Sequence, residues 1–218
     1  MTSCCTSTTD WRLEGPLQSW GGSGTWGDRP TCLYPTFSGV VGQIACAMGF
    51  ERGSKEIVTL SKSLDMAVRR NRAGSVITDY QTVRGMFEMA NGKKKTAPET
   101  RIRHKGMLSD ASFTVAFTGD ADLIEKIRYA INDPHWPLYL GRRTMIPSHP
   151  IHANVTNEYD SLLDALAHVD DVVPGEQYEV EVTADNKSAM YMNMDRIEAA
   201  DYKSYSPRPI ARKRVIGV

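Results

Sequence analysis

Leu13-Glu14-Gly15-Pro16-Leu17-Gln18-Ser19-Trp20-Gly21, then Asp28-Arg29-Pro30-Thr31, then Pro35-Thr36-Phe37-Ser38-Gly39-Val40-Val41-Gly42, is the stretch that decides how this chain is read. A turn of Gly, Pro and Ser carries Gln18 and Trp20, a loop presents Arg29, and a helix begins at a Ser38 cap. Gly39 and Gly42 leave the start of that helix bare, and free N–H groups there, aided by the dipole, favour an anion such as a phosphate. Val40, Val41, Ile44, Ala45 and Met48 give the helix one apolar face, and Gly49 stops it.

Working outward, Lys55 to Ser63 reads as a short helix, and Leu64, Met66 and Val68 alternate as in a half-buried strand that runs into Arg69 and Arg70. Ser75 to Val83 forms a second strand. Met86 to Thr100 has no period, holds Asn91-Gly92 and three consecutive lysines, and reads as a mobile basic excursion. Ala111 to Thr118 is a strand with Phe113, Val115 and Phe117 on one face. Asp120 or Asp122 then caps a helix built on Leu123, Ile124, Ile127, Ala130 and Ile131 that ends before Pro134. A helix from about Asp160 to His168 and strands over Gln177–Thr183 and Ala189–Met194 follow. The order is α+β and fits a ferredoxin-like, or RNA-recognition-like, sheet with helices on one face.

At 218 residues the chain can bury an adequate core. Cys4, Cys5, Cys32 and Cys46 show neither CxxC nor zinc spacing and read as reduced thiols of a cytoplasmic protein. No stretch approaches the roughly 18 apolar residues of a membrane span.

Formal net charge is zero, yet charge is segregated along the sequence. Arg69 to Lys105 holds ten Lys/Arg against three acids, and Glu158 to Asp185 holds nine acids and no Lys or Arg. Lys203 to Val218 adds Lys203, Arg208, Arg212, Lys213 and Arg214 without an acid. Screening over about 8 to 10 Å lets such a chain present a basic face to a polyanion and an acidic one elsewhere; the alternative is that the blocks cancel in three dimensions.

Other constellations carry less. His149 and His152 lie among prolines that preclude the helix needed to align them on a metal. Met190, Met192 and Met194 alternate at strand spacing and read as core or partner-facing packing. His104 next to Lys105, with Tyr80 and Tyr34, could serve metal-free RNA cleavage. No P-loop, GxSxG or HExxH motif is present. More specific is Leu138-Tyr139-Leu140-Gly141-Arg142-Arg143-Thr144, where two arginines beside a tyrosine, in a proline-stiffened loop, offer bidentate phosphate donors and a stacking plane.

Taken together, Gly15–Gly21, Arg29-Pro30-Thr31, Pro35–Gly42, Asp79-Tyr80-Gln81-Thr82-Val83, Leu108-Ser109-Asp110-Ala111-Ser112-Phe113 and Tyr139–Arg143 resemble, in order, the Cas-five family of CRISPR-associated proteins, above all its type I-E form. The resemblance covers roughly Arg12 to Ile151. It implies one modified ferredoxin-like (RAMP) domain over 1–218, with a β-hairpin thumb inserted at about 84–105 and a C-terminal extension with additional strands at about 152–218. It implies a subunit of the Cascade surveillance complex that grips the 5′ handle of the CRISPR RNA. Such a subunit contacts the backbone subunits and the large subunit that reads the protospacer-adjacent motif, and meets target DNA only indirectly. No cofactor or metal is implied. Type I-C members cleave precursor RNA themselves, whereas type I-E systems leave that to a separate endoribonuclease, so binding without catalysis is expected.

The residues then expected at RNA are Arg29, Lys105, Arg142 and Arg143 on phosphates or base edges, Tyr139 or Trp20 stacking, and amides near Ser38 and Gly39 on a phosphate. Gln18, Ser19, Thr31, Lys93, Lys94, Lys95, Arg101, Arg103 and His104 complete the set. Two departures stand out. The family pattern Arg-x-Tyr-Leu-x-Asp-Ala reads Lys105-Gly106-Met107-Leu108-Ser109-Asp110-Ala111 here, leaving Arg101 or Arg103 to supply the arginine contact. The usual apolar first strand is replaced by Met1-Thr2-Ser3-Cys4-Cys5-Thr6-Ser7-Thr8-Thr9-Asp10.

Overall fold

The computed structural model describes residues 6–22, 24–25, 27–88, 92, 98–156, 158–159, 161–169, 172–199 and 204–218. In chain order it forms β1 (Thr6–Glu14), the two-residue strands β2 (Leu17–Gln18), β3 (Trp20–Gly21), β4 (Asp28–Arg29) and β5 (Thr31–Cys32), and the helices α1 (Phe37–Ala47) and α2 (Lys55–Lys62). Next come β6 (Asp65–Arg72), β7 (Ser75–Gly85), β8 (Glu99–Ser109), β9 (Ser112–Asp120), α3 (Ala121–Asn132) and β10 (Asn154–Thr156). The chain closes with α4 (Leu162–His168), β11 (Gln177–Thr183), β12 (Tyr191–Ala199) and β13 (Ser204–Ile216).

The main sheet is mixed in origin but antiparallel throughout, in the order β10-β1-β9-β6-β11-β13-β12. Helices α1, α2 and α3 cover one face, over Trp11, Leu13, Met66, Val68, Phe113, Val115 and Phe117. The short α4 covers the other, over Ala67, Ala116, Val180 and Val215, so helices occupy both faces and not one. This explains why β6 and β9 are buried at consecutive positions instead of alternating.

β1 lies inside this sheet, between β10 and β9, despite its polar start. Ser7, Thr8, Thr9 and Asp10 are all buried. Their neighbours account for it: the Thr9 hydroxyl donates to the Asn154 carbonyl at 2.7 Å, and Thr118 donates to the Ser7 carbonyl at 3.3 Å. Hydroxyls that bond the adjacent strand make burial affordable without an apolar run.

Three expectations change. The first helix begins at Phe37, with Thr36 at the cap position and no side-chain cap bond, so Ser38 is inside the helix and does not cap it. Its first N–H, that of Phe37, donates to the Asp195 carboxylate at 2.9 Å, and a negative charge there also suits the dipole. The stretch after the basic excursion is a strand that the sequence did not mark, since β8 pairs with β7 in a long hairpin from Ser75–Ser109 to Gly85–Glu99, while most of residues 86–97 lie outside the described residues. Met190, Met192 and Met194 are exposed, so they are not core. Asp120 does cap α3, its carboxylate accepting from the amides of Asp122 and Leu123.

No helix among the described residues is long and apolar enough to cross a membrane. Cys32 and Cys46 are free thiols, whereas Cys4 and Cys5 lie outside the described residues.

Candidate nucleic-acid interface

The opening motif is architectural. Gln18 and Trp20 are fully buried; Gln18 donates to the carbonyls of Leu13 (3.2 Å) and Ala111 (2.8 Å), and the indole N–H of Trp20 donates to Gln18 Oε1 at 3.0 Å. The Trp20 ring packs on Gly39, where a Cβ would stand 3.1 Å from it. Ser19 is buried and donates to the Gly106 carbonyl (3.1 Å), and the Thr31 hydroxyl accepts from the Trp20 N–H (3.0 Å). The side-chain polar groups of Gln18, Ser19, Trp20 and Thr31, all expected at RNA, are thus bonded within the chain itself.

What the motif does is hold the arginine loop. The Ser19 N–H donates to the Leu140 carbonyl at 3.1 Å, and Gly141, at φ +87°, lies so close that a Cβ would fall 1.8 Å from the Ser19 carbonyl oxygen. Only glycine fits there. Met145 closes the turn, exchanging backbone bonds with Leu140 and Arg142 at 2.8 Å each.

Arg142 is thereby aimed at the hairpin base, where its guanidinium donates to the Gly106 carbonyl at 3.4 Å. On the same base, β4 runs parallel to β8 and brings Arg29 opposite Lys105, while β7 brings Asp79 to the other side of Lys105. Residues two apart on a strand share a face. Arg101, Arg103 and Lys105 therefore line one side of β8, in register with Val83, Gln81 and Asp79. Arg101 lies over the Phe87 ring at 4.2 Å.

Between this base and the arginine loop is an open groove of about 630 Å³, lined by Ser19, Gly21, Gly22, Arg29, Gly141 and Arg142 among others. Arg29, Lys105, Arg142 and the exposed Arg143 have no carboxylate within salt-bridge distance among the described residues; Asp79 is instead bonded to Gln81 at 2.5 Å. Burial, and then the nearby Arg29 guanidinium, push the Arg142 pKa down, and Asp79 pulls it back up. Two guanidiniums that repel across a groove mark a place where an anion binds favourably.

Other expected residues fall elsewhere. Ser38, Gly39 and Tyr139 line a separate cavity beside α1. His104 faces away from Lys105, with its ring 5.5 Å from that of Tyr80. Tyr34 is buried, donates to Glu179 at 3.2 Å, and is pushed up to about 12 by burial with Arg70 opposing. Arg69 is wholly buried against the Leu166 carbonyl (2.6 Å), Arg70 pairs with Glu179, and Arg72 pairs with Glu14 at 2.9 Å. These three do not contribute to a basic face. Lys93, Lys94 and Lys95 lie outside the described residues. No group of three His, Cys, Asp or Glu among the described residues is close enough to hold a metal ion.

Sequence reasoning missed two things: the pairing of β4 with β8 and the cavity residue Gln43. A two-residue strand carries no periodic signal, and a glutamine within a helix looks like an ordinary polar position.

Residues 10–214 match the model of a family described as CRISPR-associated protein (Cas_Cas5), and the chain belongs to that family. Within it, the chain is similar to the Cascade subunit CasD of Escherichia coli (strain K12), at 36% identity over 152 residues, 64% of this chain and 67% of that one. In structure it matches a chain of a CRISPR RNA-guided surveillance complex with a TM-score of 0.77 at 27% identity, covering 96% of this chain and 90% of the other. A second solved structure, described as a Cas protein, matches with a TM-score of 0.73 at 28% identity over 96% of this chain and 95% of that one.

Proposed function

We propose that this chain is a non-catalytic RNA-binding subunit of a type I-E Cascade ribonucleoprotein, gripping the 5′ handle of the CRISPR RNA. The observation that carries this is the convergence of Arg29 and Arg142 on one groove, with Lys105 paired in register with Arg29 beside it, none of the three with a carboxylate within salt-bridge distance among the described residues. A single strand laid in that groove meets cations spaced by a rigid hairpin and a glycine-locked turn. The strand order β10-β1-β9-β6, with β7 and β8 inserted between β6 and β9, is how a ferredoxin-like frame with a thumb would be built. On this reading, one RAMP-type domain spans 1–218, with a C-terminal extension at about 152–218 that carries β11 to β13. Backbone subunits and the large motif-reading subunit are its protein partners, target DNA is met through them, and the assembly works in the cytoplasm.

The test is binding of single-stranded handle RNA by the full chain across a salt series. Arg29→Ala combined with Arg142→Ala should weaken binding about tenfold or more, and flatten the salt dependence by about 0.7 in log–log slope per lost phosphate contact. Melting temperature should stay unchanged. A double variant that holds RNA like the wild type at every salt concentration sinks the reading.

An endoribonuclease reading draws on the Tyr80–His104 pair. Neighbouring strand residues point to opposite faces, so Lys105 cannot stabilise charge at a site built on His104. A single discrete cut of repeat RNA in chelator, abolished by His104→Ala, would overturn the binding-only reading.

A further inference from the structure

We propose that the outer edge of β12 is a docking strand for a second copy of this chain, paired antiparallel about a two-fold axis at Asn193. β12 belongs to the main sheet, whereas Arg29 and Lys105 lie on the four-stranded one, so this surface is separate from the arginine groove.

β12 is an end strand, partnered on one side by β13. Its register shows where its backbone points. Met192 stands opposite Pro209, and Met194 opposite Pro207. Opposed residues of an antiparallel pair either exchange two N–H···O bonds or exchange none, and proline has no N–H to give. The N–H and carbonyl groups of Met192 and Met194 therefore face outward, away from β13. The Pro209 carbonyl agrees, being turned to its other side, where it accepts from the Ala184 N–H at 3.0 Å. Flanking groups are occupied: the Met190 N–H donates to the Ile210 carbonyl at 2.8 Å, and the Ile197 N–H donates to the Ser61 hydroxyl of α2 at 3.0 Å. The open edge is thus short and centred on Met192 and Met194.

Sheet ends are normally blunted by cations, by proline or by brevity. The opposite end, β10, spans only Asn154–Thr156, and β13 beyond the reach of β12 carries the exposed Lys213 and Arg214. Ser188 to Met194 holds neither charge nor proline. Tyr191 bonds to Glu181 and Asn193 to Asp195, so by alternation Met192 and Met194 project from the opposite face, where they are 51% and 60% exposed. Two thioethers left in water beside an unpaired backbone mark a surface built to be covered.

The same segment running the other way fits it. About a two-fold at Asn193, Met192 faces the partner's Met194 and Met194 faces the partner's Met192, so each outward N–H meets an outward carbonyl and each thioether packs on another. Tyr191 faces the partner's Asp195, and Asn193 faces the partner's Asn193, so no like charges oppose one another. One edge of each copy is consumed, and the assembly closes as a dimer instead of growing into a fibre.

The experiment is sedimentation velocity of the full chain, freed of nucleic acid, over about 1 to 200 µM, and so small a contact predicts a dimer that dissociates on the order of tens of micromolar. Met192→Lys with Met194→Lys sets lysine against lysine at both facing positions and should leave a monomer throughout. Met192→Lys with Met194→Glu sets lysine against glutamate in this register and should keep the dimer. Both side chains are exposed, so both variants should melt like the wild type. Arg29→Ala with Arg142→Ala should dimerise as the wild type does. A wild-type chain that stays monomeric at the highest concentration overturns self-pairing and leaves the edge to another occupant. A dimer that persists with both lysines, or that the lysine and glutamate combination abolishes, overturns the pairing at Asn193.

Discussion

The main sheet and the hairpin groove are both rich in arginine, and they use it in opposite ways. In the sheet, Arg208 and Asp195 form a buried two-bond pair at 2.9 Å each, Arg212 meets Glu181 at 3.0 Å, Arg70 meets Glu179, and Arg69 is enclosed by carbonyl and hydroxyl oxygens with Tyr178 beneath it at 4.8 Å. At the groove, Arg29 and Arg142 line one opening, with Lys105 paired to Arg29 on the neighbouring strand. The acidic stretch near Glu179 and Glu181 is therefore consumed in part by cations from two other segments. A net charge of zero thus conceals an uneven distribution, with cations paired in the sheet and unpaired at the groove.

The most severe way to break this contrast is at Asp195. Its carboxylate holds Arg208, accepts from Asn193 at 3.1 Å, and accepts the first N–H of α1, so it ties the C-terminal strands to the first helix. Asp195→Ala leaves a buried guanidinium unpaired and should cost about 3–5 kcal/mol in urea unfolding. RNA affinity per folded molecule should not change. If affinity falls and stability does not, the sheet cations are not merely structural and the division drawn above is wrong.

Gly141→Ala probes the groove side with a smaller expected cost. A side chain at φ +87° costs about 1–3 kcal/mol, and its Cβ would collide with the Ser19 carbonyl. Displacing the turn should move Arg142 off the Gly106 carbonyl, so RNA affinity should drop together with melting temperature. A loss of stability with RNA binding intact would detach the arginine loop from the groove.

How far the sequence could be read follows the same division. α3, β9 and β11 were legible because apolar spacing or alternation marks them and nothing competes. β8 was not, since the residues alternating on it are cations and polar groups, which register as a charged loop. β13 holds Pro207 and Pro209, ordinarily strand breakers; β12 pairs with Ser204–Ile210 and β11 with Ile210–Ile216, so both prolines sit where only one edge is partnered. At the site, Arg29, Lys105 and Arg142 could be picked by residue type. Their meeting could not, because it depends on a parallel bridge between residues 28–29 and 104–105. Nor could the demotion of Arg69, which requires knowing that α4 closes over the second face.

The smallest effect expected lies at the junction of the two regions. Glu14 ends β1 and accepts from Arg72, which also donates to the Asp110 carbonyl at 2.5 Å beside the hairpin exit; Arg12 and Ser112 meet the same carboxylate. Burial raises its pKa, but the Arg72 hydrogen bond and the charges of Arg12 and Arg72 outweigh that, so it lies below the ordinary 4.5. A carboxylate with a lowered folded pKa stabilises the fold above its unfolded value, and that contribution disappears as pH falls through the folded value. Wild type should therefore exceed Glu14→Gln in melting temperature near neutral pH, by an amount corresponding to at most about 1 kcal/mol for so accessible a cluster. The difference should shrink to nothing in acid below the usual carboxylate range. A gap that persists unchanged at low pH would mean that Glu14 acts through packing and not through its charge, and that the hairpin is joined to the sheet by its backbone bonds alone.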